Sequence, residues 1–284
     1  MGVRGFFAIT RPANSVVAGL AAIVAYLIAT GTLVYGILLL MVAVTLITAA
    51  GNVINDYFDA AIDAVNRPER PIPSGAVSRN AALAWAILLF ILGLAVSAFT
   101  TPLCTGIALV NALLLVLYAA RLKSTPFFGN AAVAYLSASI FLFGGAYAGW
   151  HALGDMLPVA AITFLAMLAR ELLKDAEDIA GDQAHGADTL AIRIGVRKTA
   201  VLAFACTVFA VAASAVPYLW WGAWYLAGIG VVDLAILIAA GRALGCTDPA
   251  SLKATGSTTL LKLGMFASLV IFTLSAVFLS HSLA

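Results

Sequence analysis

The chain alternates long apolar runs with short polar breaks. Nine runs approach the ~20 residues a helix needs to cross a bilayer: about residues 12–30, 33–55, 80–98, 103–121, 130–149, 156–174, 197–216, 219–241 and 258–280. The pattern predicts an all-α membrane protein with nine transmembrane helices in a single domain over residues 1–284. An odd span count puts the termini on opposite sides, and the breaks fall alternately on the two. Those near 31–32, 99–102, 150–155 and 217–218 and the tail after 280 hold His151, Asp155 and His281 but no Lys or Arg. All 15 Lys and Arg belong to the other side or to the span ends that meet it. The positive-inside rule makes that side cytoplasmic.

Two cytoplasmic breaks are longer than the usual two to eight residues between packed helices. The first follows the second span, in GNVINDYFDAAIDAVNRPERPIPSG from Gly51 to Gly75. If the apolar helix continues through Asp63, then Asn55, Asp59 and Asp63 fall at i, i+4 and i+8 and share one face, with Asp56 beside them. Gathered carboxylates repel one another unless a divalent cation offsets their charge. Mg²⁺ takes oxygen ligands, typically a carboxylate or two, and completes its shell with water and phosphate oxygens. Arg67 and Arg70, just beyond, suit a diphosphate. The alternative is a polar helix end that caps itself and faces water.

The second break follows the sixth span, in ARELLKDAEDIAGDQAHGADTLAIRIG. Asp175, Asp178 and Asp182 stand at i, i+3 and i+7, and Lys174 lies four residues before Asp178. Taken alone, this also fits a solvated loop with one i,i+4 ion pair. Both clusters end an even-numbered span, so both face the same side, four spans apart. That spacing predicts two parallel four-helix halves, each giving one acidic helix end to a shared site, with a ninth helix added. Between them, YAARLKSTPFFGN supplies Tyr118, Arg121, Lys123 and Asn130 on the same side. Arg121 reads as an interfacial anchor, and Tyr118 and Lys123 either as anchors or as lining of the site.

Composition closes off other classes. With 63% hydrophobic and 10% charged residues and a mean hydropathy of +1.07, the chain is far from the ~25% charged residues of a soluble domain. The net charge of +2 gives no case for nucleic acid, because the few charges sit at membrane boundaries. Cys104, Cys206 and Cys246 lack metal-ligand spacing and read as small buried hydrophobes. The opening MGVRGFFAITRPANS has no signal-peptide pattern. Within the spans, Asp233 needs a partner, and Lys262 at comparable depth predicts an ion pair. Gly145 and Gly149 predict close helix packing. A cation-coupled transporter would carry its acids near the midplane, where only Asp233 speaks for it. A CDP-alcohol phosphatidyltransferase would show Asp-Gly-x-x-Ala-Arg, which the chain lacks.

NDYFDAAID followed by NRPERPIPSG, with EDIAGD and GADTLAIRIG some 120 residues later, resembles the UbiA superfamily of intramembrane prenyltransferases. The resemblance implies nine transmembrane helices around a central cavity, with two Asp-rich motifs at its mouth binding Mg²⁺ and an isoprenyl diphosphate. Asn55, Asp56, Asp59 and Asp63 match the first motif, and Asp178 and Asp182 the second. The implied metal ligands are Asn55, Asp59, Asp178 and Asp182, and Tyr118 is the implied aromatic catalytic residue. The implied diphosphate cations are Arg67, Arg70, Lys123 and Lys174. Arg11 and Asn14, at the start of the first helix, and Asn130 are the implied acceptor contacts. Within the superfamily, the motifs most resemble the members that make archaeal ether lipids. Those members transfer a geranylgeranyl group from geranylgeranyl diphosphate to sn-3-O-geranylgeranylglyceryl phosphate. An aromatic or quinone-precursor acceptor is the alternative. The implied partners are these two substrates and membrane lipids, with no nucleic acid.

Overall fold

A computed structural model describes residues 2–184 and 186–279; His281 falls outside them. A short α1 (Val3–Ile9) precedes α2 (Pro12–Thr30), α3 (Ile37–Asn66), α4 (Arg79–Ala98), α5 (Pro102–Ala120), α6 (Phe128–Ala148) and α7 (Trp150–Glu177). Two small helices, α8 (Ile179–Ala184) and α9 (Leu190–Ile194), occupy the next connection. Then come α10 (Val196–Ser214), α11 (Tyr218–Arg242), the short α12 (Pro249–Ala254) and α13 (Ser257–Phe278). Among the described residues, nine helices are long and apolar enough to cross a membrane: α2 to α7, α10, α11 and α13. Together with the family match reported below, they make this a multi-pass membrane protein.

Local chemistry sets the ends. The Ser78 side chain accepts from the Ala81 amide at the start of α4, and Thr101 accepts from Cys104 at the start of α5, where Pro102 takes the first turn. Gly195 joins α9 to α10 with φ 82°, a conformation that favours glycine. The largest departure from the hydropathy boundaries is α3. It runs 30 residues to Asn66 instead of stopping near 55. At 1.5 Å per residue it is ~45 Å long, against a hydrocarbon core of ~30 Å, so its polar last turns project beyond the apolar layer.

The chain forms two compact units. The first comprises Met1–Tyr26, Leu33–Arg121 and Phe143–Leu153, and the second Leu27–Thr32, Leu122–Leu142 and Gly154–Ala284. In the first, α3, α4 and α5 pack against one another around Ala50, Val53, Ile54, Ala82, Ala86 and Leu89. In the second, Leu168, Leu172 and Leu173 of α7, Ala200 and Ala203 of α10, and Ala240 of α11 share one core. The alanines let helices approach closely where no hydrophobic force drives them together. Elsewhere the helices turn apolar side chains outward. Leu109, Leu113, Val116 and Leu117 of α5 form an exposed stripe suited to lipid.

Of the expected Gly145–Gly149 packing pair, Gly145 is buried while a Cβ on Gly149 would meet nothing within 4 Å, and the close approach is shown at Gly144. A Cβ on Gly144 would stand 2.6 Å from the Ala25 carbonyl carbon and the Tyr26 amide nitrogen, so α6 meets α2 backbone to side-chain-free backbone. Gly149, with φ +119°, forms the break between α6 and α7 instead.

Candidate active site

In the first unit, α3 carries its polar residues past the apolar layer, among them Asn52, Asp56 and Asp63. Asn52 Nδ2 donates to the Thr10 carbonyl at 3.0 Å and to Ser15 Oγ at 3.2 Å, which clamps the α1–α2 turn onto α3. That turn places Arg11, with φ 48°, where its Nη2 donates to Asp56 Oδ1 at 2.5 Å. From the other direction, Arg70 Nη1 donates to Asp63 Oδ2 at 2.5 Å and to Asp56 Oδ1 at 3.2 Å. Both carboxylates are buried. Two cations facing two acids satisfy charges that would otherwise be costly to bury.

Arg70 and Arg11, which the resemblance places on a diphosphate and on the acceptor, both face the acids of α3 in this structure. The cause is the compact turn that NRPERPIPSG makes. The Arg70 carbonyl accepts from Ser74 N, the Pro71 carbonyl from Val77 N, and Gly75 takes φ +76°. The chain therefore folds back over α3. Asn55 and Asp59 stand one turn apart on the same helix, half-buried. Arg67, at the helix C-cap, and Asn14, on the first turn of α2, are exposed. Tyr118 is half-buried near the end of α5.

In the second unit, the acidic stretch is not one continuous helix face. The chain bends at Asp178, between α7 and α8, rather than at Gly181. Asp175, still on α7, accepts a hydrogen bond from Asn130 Nδ2 of α6 at 2.8 Å. Asn130 was expected to meet the acceptor, and here it ties α6 to α7. Asp178 and Lys174 are exposed, and Asp182 is half-buried in α8, where its amide donates to the Asp178 carbonyl at 2.9 Å. Lys123 is half-buried in the short 3₁₀ turn Leu122–Ser124. Ser124 accepts from the Asp188 amide at 3.1 Å. Beyond it, Arg193 Nε and Nη2 donate to the two Asp188 oxygens at 2.9 and 2.5 Å. That pairing holds the Asp188 carboxyl below its ordinary range.

Among the described residues, no three His, Cys, Asp or Glu side chains gather as a metal site. Asp56 and Asp63 face arginines, which accounts for part of this. Mg²⁺ needs only one or two carboxylates when a phosphorylated substrate brings further oxygens. The pairs Asn55 with Asp59 and Asp178 with Asp182 supply the right donor type, so the residues present fit that ion.

The second unit also contains space. A cavity of about 50 Å³ lies among α6, α7, α10, α11 and α13, lined by Phe141, Thr163, Ser214, Asp233, Met265 and Phe272 among others. Asp233 Oδ2 accepts from Ser214 Oγ at 2.6 Å, and Tyr225 donates to the Ser214 carbonyl at 2.7 Å. The expected Asp233–Lys262 pair does not form. Leu261 and Ser257 of α13 are buried, and a Cβ on Gly264 would collide with Ile236, so this face of α13 meets α11 and leaves Lys262 exposed. Lys262 instead lines a second pocket, of about 310 Å³, with Arg170 of α7. Arg170 escaped the sequence reading. Its signal was its place one turn before Lys174, a charge well inside an apolar span.

The family model of the UbiA prenyltransferase family matches residues 16–270, through both compact units. The digeranylgeranylglyceryl phosphate synthase of Methanoregula boonei is 89% identical over 279 residues, covering 98% of this chain and 100% of that one. A solved structure described as giving structural and mechanistic insights into the biosynthesis of digeranylgeranylglyceryl phosphate synthase in membranes superposes with a TM-score of 0.89. It is 34% identical and covers 97% of this chain and 98% of its own. A UbiA homologue from Archaeoglobus fulgidus, solved with GPP and Mg²⁺, shares the fold with a TM-score of 0.66 at 16% identity, covering 93% of this chain and 99% of that one. Matched along nearly all its length in sequence and in fold, the chain belongs to the UbiA prenyltransferase family.

Proposed function

We propose that this protein transfers a geranylgeranyl group from geranylgeranyl diphosphate to sn-3-O-geranylgeranylglyceryl phosphate, forming the second ether bond of archaeal membrane lipids. The observation that carries the reading is end-to-end identity of 89% with a digeranylgeranylglyceryl phosphate synthase. A second support is the pair of polar helix ends, at α3 and α7, in an otherwise apolar chain. The charge asymmetry of the connections argues for chemistry at the cytoplasmic face.

Asn55 and Asp59 of α3, and Asp178 and Asp182 around the α7–α8 bend, are the proposed Mg²⁺ ligands. Bound Mg²⁺ supplies neutralisation of charge developing on the departing diphosphate. Arg67, Lys123 and Lys174 are its proposed side-chain partners. Asp56, Asp63, Arg11 and Arg70 hold the α3 end in place as a paired network. The allylic C–O bond breaks with its electrons going to the diphosphate, and the aromatic face of Tyr118 stabilises the allylic cation that results. Apolar walls keep water from quenching it. The glycerol hydroxyl then forms the new C–O bond and gives its proton to the released diphosphate.

The test is an assay of the purified protein with Mg²⁺ and geranylgeranyl diphosphate, offering geranylgeranylglyceryl phosphate and 4-hydroxybenzoate in parallel. Product from the lipid phosphate alone is expected. Product from the aromatic acid alone would keep the reaction class and overturn the acceptor, and turnover of neither would overturn the reading.

A further inference from the structure

Arg170 and Lys262 present a problem that the transferase chemistry above leaves unsolved. Arg170 lies seven residues, or ~10 Å, before the end of α7, and Lys262 five residues, or ~8 Å, into α13. Both line the pocket of about 310 Å³, whose other walls are Phe141, Met167, Met265, Phe266 and Leu269. No carboxylate lines it. Arg170 Nη1 donates to the adjacent Glu171, but its Nε is buried and has no hydrogen-bond acceptor. Lys262 makes no ion pair among the described residues. Arg170 is ion-paired with Glu171 yet keeps one buried N–H unmet, and the exposed Lys262 lines the same pocket, so together they offer an incoming anion a donor fork and a point charge.

The surroundings narrow what that anion is. Apart from the two cations, the pocket walls offer no hydrogen-bonding side chain, so the ligand is anionic at one end and apolar elsewhere. Phe141, Met265 and Leu269 also line the small cavity among α6, α7, α10, α11 and α13. The unbranched Met265 side chain adapts readily to a chain lying against it. An Arg fork and a Lys point charge together suit a phosphate monoester. A diphosphate held through Mg²⁺ would need acidic ligands, which this pocket lacks. Of the two substrates, only the acceptor joins a metal-free phosphate to a hydrocarbon chain.

We infer that Arg170 and Lys262 bind the phosphate monoester of the prenylated glycerol acceptor, and that its chain lies against Phe141, Met265, Phe266 and Leu269 of the second unit. The inference rests on the transferase reading and gives it an acceptor site, in place of Arg11 and Asn130, whose side chains are held by Asp56 and Asp175.

The experiment measures KM for each substrate in purified Arg170→Gln and Lys262→Gln, with Arg170→Lys and Lys262→Arg as conservative partners. Geranylgeranylglycerol, which lacks the phosphate, is the neutral acceptor. A lost charge-assisted hydrogen bond corresponds to about a tenfold change in affinity. Each Gln variant is expected to raise the lipid-phosphate KM about tenfold, leave the geranylgeranyl diphosphate KM within about twofold, and lose a like factor of preference over the neutral acceptor. The conservative variants should recover most of the loss. Lys262 is exposed, so its variant tests the idea even if Arg170→Gln fails to fold. An equal rise in donor KM, or an unchanged preference for the phosphorylated acceptor, would overturn the assignment. Competition by inorganic phosphate as strong as that by the chain-bearing phosphate would mark a free-anion site and overturn the chain placement. If the parent enzyme uses the lipid phosphate while the variants match it, only this inference falls. If the parent does not use it, the transferase reading falls first.

Discussion

Arg70 reaches Asp63 Oδ2 at 2.5 Å across one folded turn of chain, and the same nitrogen touches Asp56 Oδ1 at 3.2 Å. The Arg70 side chain is 16% exposed and the acids are 5% and 8% exposed, so water cannot replace it. Arg11, at 33% exposure, holds Asp56 from the wetter side. Removing one partner of a buried pair costs about 3–5 kcal/mol, because the other charge stays buried and unmet. Arg70→Ala is therefore expected to destabilise the protein by about 3 kcal/mol. Arg11→Ala should cost about 1 kcal/mol, nearer the value for exposed pairs. Thermal unfolding in detergent compares them, and equal losses would contradict the burial argument.

Gly144 gives a second test, of packing alone. Its missing Cβ would lie 2.6 Å from backbone atoms of Ala25 and Tyr26, which cannot move aside as a side-chain end can. Overpacking of this kind costs about 1–3 kcal/mol. Gly144→Ala should lower the unfolding temperature measurably. At Gly106 a Cβ meets nothing within 4 Å, so Gly106→Ala, inside α5, should leave the temperature unchanged or raise it.

The span count and most boundaries were legible in the sequence because length and hydropathy decide them. What was not legible is where polar side chains point. Arg70 follows the acids closely in sequence and looked like a free cation, but its direction depends on the Pro71–Val77 turn, a tertiary fact. Asn130 looked like a site residue because it is polar near a span end. Its partner Asp175 lies 45 residues away on another helix. Asp233 and Lys262 had matching depth, yet depth does not fix rotation about the helix axis. The packing of Gly264 on Ile236 sets that rotation.

The connection between α8 and α10 makes a prediction about pH. Arg193 lowers the Asp188 carboxyl below its ordinary value of 3.8, first through their hydrogen bonds and then through charge. A group whose folded value is depressed stabilises the fold fully above the ordinary value, and that contribution fades as pH falls through the depressed one. Asp188→Asn should therefore speed amide exchange of Leu190–Ile194 at neutral pH, after correction for intrinsic rates. Parent and variant should converge below about pH 4. No difference at neutral pH would mean that the Ser124–Asp188 backbone bond, which the variant keeps, orders the segment without the ion pair.

Burial along α3 should separate chemistry from architecture. Asp56 and Asp63 are buried under arginines, whereas Asn55 and Asp59 are half-buried. If only the half-buried pair meets the metal and diphosphate, Asp59→Asn should lower kcat by ~100-fold or more, the scale of losing a group that stabilises transition-state charge. Its unfolding temperature should stay near that of the parent. Asp178→Asn, at the exposed bend after α7, should behave the same way. Asp63→Asn keeps the shape but leaves Arg70 short of a counter-charge, so it should lower stability first and activity only in proportion to unfolding. Raising Mg²⁺ should recover part of the activity of Asp59→Asn and none of that of Asp63→Asn, because added metal restores a weakened ligand set but not a buried ion pair. Equal recovery in both variants would place Asp63 among the metal ligands.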